Sequence, residues 1–238
     1  MYSTREKVWQ RDLQGFQEQL TQARDLEQEG RCIEAYCLFA TAYYSHYASQ
    51  IKRHPIRAFL EFCQAKRYAE LAFEESFSQQ VILSHSKCDV IATILLRRWL
   101  WQKANPTRAG LLLDVGLAKA DLPPHSHALM TMGLAEAHYL LGNKEGCVAK
   151  VEEALAHEAS LETEQDQVQA HRQFCRVLRR AFTLYFKLGH VDKASGCFQK
   201  ALEYAADQRW KSEDQHKKLL WERAVLRLPA FVQWLLPH

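Results

Sequence analysis

Three segments of this chain carry a glycine followed, five and twelve residues later, by small residues, with a bulkier one between. Gly30 precedes Ala35, Phe39 and Ala42; Gly142 precedes Cys147, Val151 and Ala154; Gly189 precedes Ala194, Phe198 and Ala201. A glycine at such a point ends a helix, because it alone takes a left-handed backbone cheaply. The residues after it then fall on one stripe of the next helix. Small side chains let two helices approach closely and the bulky one fills the space between them. The pattern predicts stacked helical hairpins.

The composition agrees. Ala, Leu, Glu, Gln, Lys and Arg, all good helix formers, dominate. Only nine Gly and six Pro are available for breaks, so few loops can be long. An all-α chain follows, of a length that can bury a sizeable core. Its formal charge of +3 is too small to argue for nucleic acid. The seven Cys form no CxxC pair and sit mostly at apolar helix positions, where a thiol behaves as a small hydrophobe. They are expected to be reduced in a cytoplasmic protein. The start, MYSTREKVWQRDL, lacks the apolar stretch of a signal peptide. No run reaches the roughly 18 apolar residues of a transmembrane segment.

Apolar periodicity and breakers divide the chain into ten helices. They are expected at about 4–28, 32–52, from Pro55 onward, 79–103, 107–120, 126–141, 144–157, 163–188, 192–206 and 212–236, the last kinked at Pro229. Ser126 is a possible cap after the Leu122-Pro123-Pro124 break. Connections this short make neighbouring helices antiparallel pairs. No low-complexity linker intervenes, so residues 1–238 read as a single domain.

From Met130 to Ala205 the residues resemble a tetratricopeptide-repeat array. Leu178, Phe182, Tyr185, Gly189, Ala194, Phe198, Ala201 and Leu202 are the best copy. Leu134, Ala135, Gly142, Cys147, Val151, Ala154 and Leu155 are a second, and Ala23, Leu26, Gly30, Ala35, Phe39 and Ala42 a third. The 47 residues from Gly142 to Gly189 exceed the roughly 34 of the standard repeat. Asn105 takes the place of the turn glycine in residues 50–120, with Gly110 at the first small position. The resemblance implies an α-solenoid with its clearest repeats over 126–207 and a capping helix over 212–236.

The resemblance also implies a concave groove lined by first-helix positions. Counting back from Gly189 these are Arg176, Arg179, Thr183 and Phe186; from Gly142, Met132, Glu136 and Tyr139; from Asn105, Leu95 and Trp99. The Lys and Asn set with which some members clamp a peptide carboxy terminus is missing.

Charge is unevenly distributed. Residues 144–166 hold seven acids against two lysines; residues 171–218 hold eleven Lys or Arg against five acids. On the eighth helix Arg172, Arg176, Arg179, Arg180 and Lys187 span an arc of about 80° to 100°. That face is either solvated charge or a docking surface for an acidic partner. Arg176 and Arg179 point away from the apolar stripe and are expected to be dispensable for folding.

No GxSxG, P-loop, GxGxxG or HExxH signature is present. His125 and His127 do not converge on a metal, and the Cys do not approach zinc-ligand spacing. Trp99, Trp101, Arg97 and Arg98 allow base stacking, but without a strong basic excess nucleic acid is not the expected partner.

The reading is a non-catalytic adaptor or chaperone-like scaffold that binds a protein or peptide, of acidic character, with no cofactor or metal. Its candidate contact residues are Trp99, Glu136, Tyr139, Arg172, Arg176, Arg179, Arg180 and Thr183. Two alternatives stand beside it: a regulatory or sensory module of a bacterial signalling or transcription system, and an enzyme whose site has no signature.

Overall fold

In the computed structural model, which describes residues 4–51, 53–100, 102–118, 122–163, 166–206 and 213–228, the three glycines do what their spacing implies. Gly30, Gly142 and Gly189 all have positive φ, of 77°, 79° and 83°. At each, the glycine N–H donates to the carbonyl three residues back, and the next N–H donates to the carbonyl five residues before it. The pairs are Gly30 to Glu27 and Arg31 to Leu26, Gly142 to Tyr139 and Asn143 to His138, Gly189 to Phe186 and His190 to Tyr185. This double closure satisfies carbonyls that a helix end would otherwise leave open.

The described helices are α1 (Thr4–Gln28), α2 (Cys32–Gln50), α3 (Pro55–Ser78), α4 (His85–Leu96), α5 (Pro106–Leu117), α6 (Pro124–Leu140), α7 (Lys144–Ala156), α8 (Gln167–Leu188), α9 (Val191–Ala206) and α10 (Glu213–Leu226). A short 3-10 helix, His157–Thr163, follows α7. No strand occurs among the described residues. The all-α arrangement of helices packed in adjacent pairs is as the sequence predicts.

The fourth helix is shorter than expected. It ends at Leu96, and Trp99 and Gln102 exchange two backbone hydrogen bonds across a tight turn with Leu100 at φ 50°. Pro124 rather than Ser126 opens α6. Residues 229–238, with the predicted kink at Pro229, lie outside the described residues, as does Trp101.

Five helices bury the same stripe. Four, eight and eleven residues beyond the carbonyl that accepts the first backbone bond stand a small, a bulky and a small residue. In α2 they are Ala35, Phe39 and Ala42; in α3, Ala58, Phe62 and Ala65; in α7, Cys147, Val151 and Ala154; in α9, Ala194, Phe198 and Ala201; all are buried. The fifth is α5, with Ala109, Leu113 and Gly116. The register expected there is therefore one residue off. Asn105 caps α5, its side chain accepting from the Arg108 N–H, just as Asn143 caps α7 by accepting from Gly146. Ala109, not the half-exposed Gly110, is the first packing residue. The approach is close: a Cβ on Gly133 of α6 would lie 2.8 Å from Leu113 Cδ1.

The contacts divide the chain into two compact units, Met1–Arg97 and Arg98–His238. In the first, α2 packs on α1 and α3, and α4 on α2 and α3. Lys66 of α3 is buried there, and its Nζ donates to the carbonyls of Leu95 and Arg97 at the end of α4. In the second, α6 packs on α5, α7 and α8, while α10 lies on both α8 and α9.

Candidate functional site

Five of the eight candidate residues, Arg172, Arg176, Arg179, Arg180 and Thr183, lie on α8, and Glu136 and Tyr139 lie on α6, which packs against it. Asp166 caps α8 by accepting from the Gln169 N–H at 2.9 Å, and Gly189 closes it. Phe174, Val177, Leu178, Ala181 and Tyr185 bury its inner side. Arg172 and Phe186 are exposed; Arg176, Arg179 and Thr183 are half-buried.

The arginines are not a uniformly solvated face. Arg180 is buried, and its Nε donates to Glu136 Oε1 of α6 at 2.6 Å. Arg179, only 12% exposed, pairs through Nε with Glu222 Oε2 of α10 at 3.1 Å. Consecutive residues of α8 thus reach the helices on either side of it. Arg179 lies off the apolar stripe of α8, but its contact with Glu222 takes it into the packing of α10. Arg176 Nη1 donates to Gln173 Oε1, and Thr183 Oγ1 donates back to the Arg179 carbonyl. On α6, Tyr139 lies with Lys187 Nζ 5.8 Å from its ring centroid.

A second row of pairs joins the helices behind. Lys193 of α9 meets Glu152 of α7 at 2.6 Å. Lys200 and the Tyr204 hydroxyl both donate to Glu158. The acidic block at 144–166 and the basic block at 171–218 therefore complement each other within the second unit. Much of the positive charge that suggested an acidic partner already has its acids in this chain. Exposed pairs such as Lys193–Glu152 contribute little stability individually; Arg180–Glu136, nearly out of water, is the consequential one.

Trp99 does not join this face as an open aromatic. It is buried in the turn before α5, and Leu95 and Met132, two further groove positions, are fully buried core residues. The groove positions that remain accessible are Glu136, Tyr139, Arg176, Thr183 and Phe186, with Arg172 of the basic cluster exposed on the same helix as the last three.

His127 and His157 come together with ring centroids 4.3 Å apart, and burial plus the neighbouring imidazole holds His157 below the usual histidine range. Among the described residues no group of three or more His, Cys, Asp or Glu is placed to hold a metal ion.

The first unit contains a polar cluster that the sequence does not announce. His46 of α2 and Glu61 of α3 are both buried, with Nδ1 and Oε1 2.9 Å apart. Gln50, also buried, lies 3.4 Å from His46 Nε2. Phe16 of α1 stacks on the imidazole at 4.1 Å, and Arg57 Nε donates to the same Glu61 oxygen at 3.0 Å. The only trace in the sequence is Glu61 four residues after Arg57, the spacing of a helical ion pair; nothing local marks its meeting with His46.

No known family, curated protein or solved structure matches the chain.

Proposed function

We propose that this chain is a non-catalytic helical-hairpin scaffold that holds a protein or peptide segment against the outer side of α8. The observation that carries the reading is Phe186. It is a large apolar side chain, 40% exposed, on the same stripe as Thr183, Arg179 and Arg176. Lys187 beside it reaches the half-buried ring of Tyr139 on α6. Aromatics of this kind supply contact area at protein interfaces, and arginines supply charge pairing at their rim. Arg179 and Arg180 meet Glu222 and Glu136, while Arg172, exposed, and Arg176, half-buried, are the arginines of this face that a partner's carboxylates would approach. A segment of mixed acidic and aromatic character fits this layout. The packing spacing shared with tetratricopeptide arrays supports the same kind of role. None of the seven cysteines is in a disulfide, which is compatible with work in the reducing cytoplasm.

The test is affinity capture with full-length protein beside a Phe186→Ser, Arg176→Glu variant, at low and high salt, with mass spectrometry of what is retained. Selective loss of the same partners from the variant, at unchanged melting temperature, supports the reading. Equal recovery from both proteins removes this face from the functional account.

A further inference from the structure

The corner between α2 and α3, in the first unit, has properties that packing does not use. The 26 residues from Ala35 to Leu60 contain no Asp or Glu, yet they include Lys52, Arg53 and Arg57. Within this acid-free stretch Ile56 is 80% exposed and Leu60, one turn further along α3, is 60% exposed. The corner is firmly built. The Gln50 carbonyl accepts from the N–H groups of both Arg53 and His54, and Pro55 opens α3.

Arg57 stands between two depressions. One, of about 470 Å³, is lined by Arg53, Ile56, Arg57 and Leu60. The other, of about 490 Å³, is lined by Arg57 and by Leu13, Phe16, Leu20 and Arg24 of α1. Arg57 is anchored from beneath: Nε donates to Glu61, whose carboxylate is buried against His46. Its side chain is otherwise half exposed, and its terminal Nη groups have no partner among the described residues. Arg24 and Arg53 likewise have no ion-pair partner there. A guanidinium held by one edge presents its other donors in a fixed direction, so little side-chain entropy is lost when a carboxylate meets them.

We infer that this corner is a docking surface for a short acidic and apolar segment of another protein, with Arg57 as the carboxylate anchor and Ile56 and Leu60 as apolar contacts. Charge complementarity selects the occupant: Arg24, Arg53 and Arg57 line the two depressions and no Asp or Glu does, which calls for carboxylates. Apolar side chains on both sides of the central cation call for apolar residues flanking those carboxylates. Shallow depressions lie on either side of Arg57, where the apolar side chains of a bound segment can rest. It belongs to the first unit and is independent of the α8 face.

The experiment selects short random peptides from a displayed library on full-length protein, with phosphatidylserine vesicles as a separate probe. Enriched peptides should combine Asp or Glu with Leu, Ile or Phe. Their affinity should fall about tenfold or more, equivalent to about 1.4 kcal/mol, in Ile56→Ser with Leu60→Ser and separately in Arg53→Glu, a variant that leaves the Glu61 anchor intact. Melting temperatures should be unchanged, and Phe186→Ser should bind these peptides like the parent. Failure to enrich acidic peptides overturns the proposal, as does equal binding by the Ile56 and Leu60 variant. Vesicle binding that depends on Ile56 and Leu60, without acidic-peptide enrichment, would replace it with a membrane surface.

Discussion

Arg180 of α8 and Glu136 of α6 meet at 2.6 Å with their side chains only 9% and 18% exposed, 44 residues apart in sequence. Removing one member of such a pair leaves the other charge without compensation in a poorly solvated place. Glu136→Leu should therefore destabilise the protein by about 3 kcal/mol, whereas Glu136→Leu with Arg180→Met should recover most of that loss. Urea unfolding of the parent, both single variants and the double variant measures the coupling. Additive losses would mean that the two charges are stabilised independently.

Gln80 occupies the same turn as the three glycines, at φ 54°. Its N–H donates to Phe77, and the Val81 N–H donates to Ser76. A side chain in this conformation is strained by contact between its Cβ and the backbone. Gln80→Gly should stabilise the chain by roughly 0.5–1 kcal/mol, the relief of strain exceeding the added freedom of the unfolded chain. Gly142→Ala should lose about 1 kcal/mol for the converse reason. Denaturant midpoints decide both.

These turns also show what the sequence makes legible. Gly30, Gly142 and Gly189 could be read because glycine is the residue that takes positive φ without strain. Gln80 makes the same turn without the signal, and so the boundary between α3 and α4 is displaced in a reading by composition. Asn105 was legible as a break but not as a cap, and the register of α5 shifts by one residue in consequence. The stripe on α8 placed its arginines correctly on one side of the helix. It could not show that α6 and α10 bring Glu136 and Glu222 to them, because a helical period describes one element and not its neighbours. The His46–Glu61 pair was hidden for the same reason.

Five thiols, at Cys37, Cys88, Cys147, Cys175 and Cys197, are buried; Cys32 and Cys63 are partly exposed. A thiol reagent should modify Cys32 and Cys63 first, with the other five following only as the protein opens. Burial pushes the thiols of Cys37, Cys147 and Cys197 up to about 11. An unfolded thiol ionises near about 8.5. Their stabilisation is thus complete below that pH and is lost as pH rises toward about 11. Lys66, pushed down to about 8 by burial, works in the opposite direction over the same range, but as one group against three. Urea midpoints should fall between about pH 8 and about pH 10. A level or rising midpoint would show that these thiols titrate as they do in the unfolded chain.

Leu219 of α10 is buried in the core of the second unit, and Arg223 lies 4.6 Å from the Phe198 ring centroid on α9. This helix therefore covers apolar surface of α8 and α9. Leu219→Ala should cost about 3 kcal/mol, and a chain truncated at Asp207 should aggregate. Both are read by thermal unfolding and by size-exclusion chromatography. A soluble truncated chain of equal stability would show that α10 does not cap the unit.

Arg176 and Arg179 lie one turn apart on α8 but differ in what surrounds them, and that difference can be measured without knowing any partner. Arg176 rests on Gln173 of its own helix. Arg179 crosses to Glu222 of α10 and is nearly out of water. Arg176→Glu should leave stability within about 0.5 kcal/mol of the parent, as surface substitutions usually do. Arg179→Glu should set two carboxylates against each other under α10 and cost about 2 kcal/mol or more. Much of that should be regained by adding Glu222→Lys, which restores the attraction with its sign reversed. If the two single variants are equally stable, α10 is not held by Arg179. If Glu222→Lys rescues Arg179→Glu, partner capture can be tested in that reversed pair, where loss of binding reports on the surface charge of α8 and not on its packing.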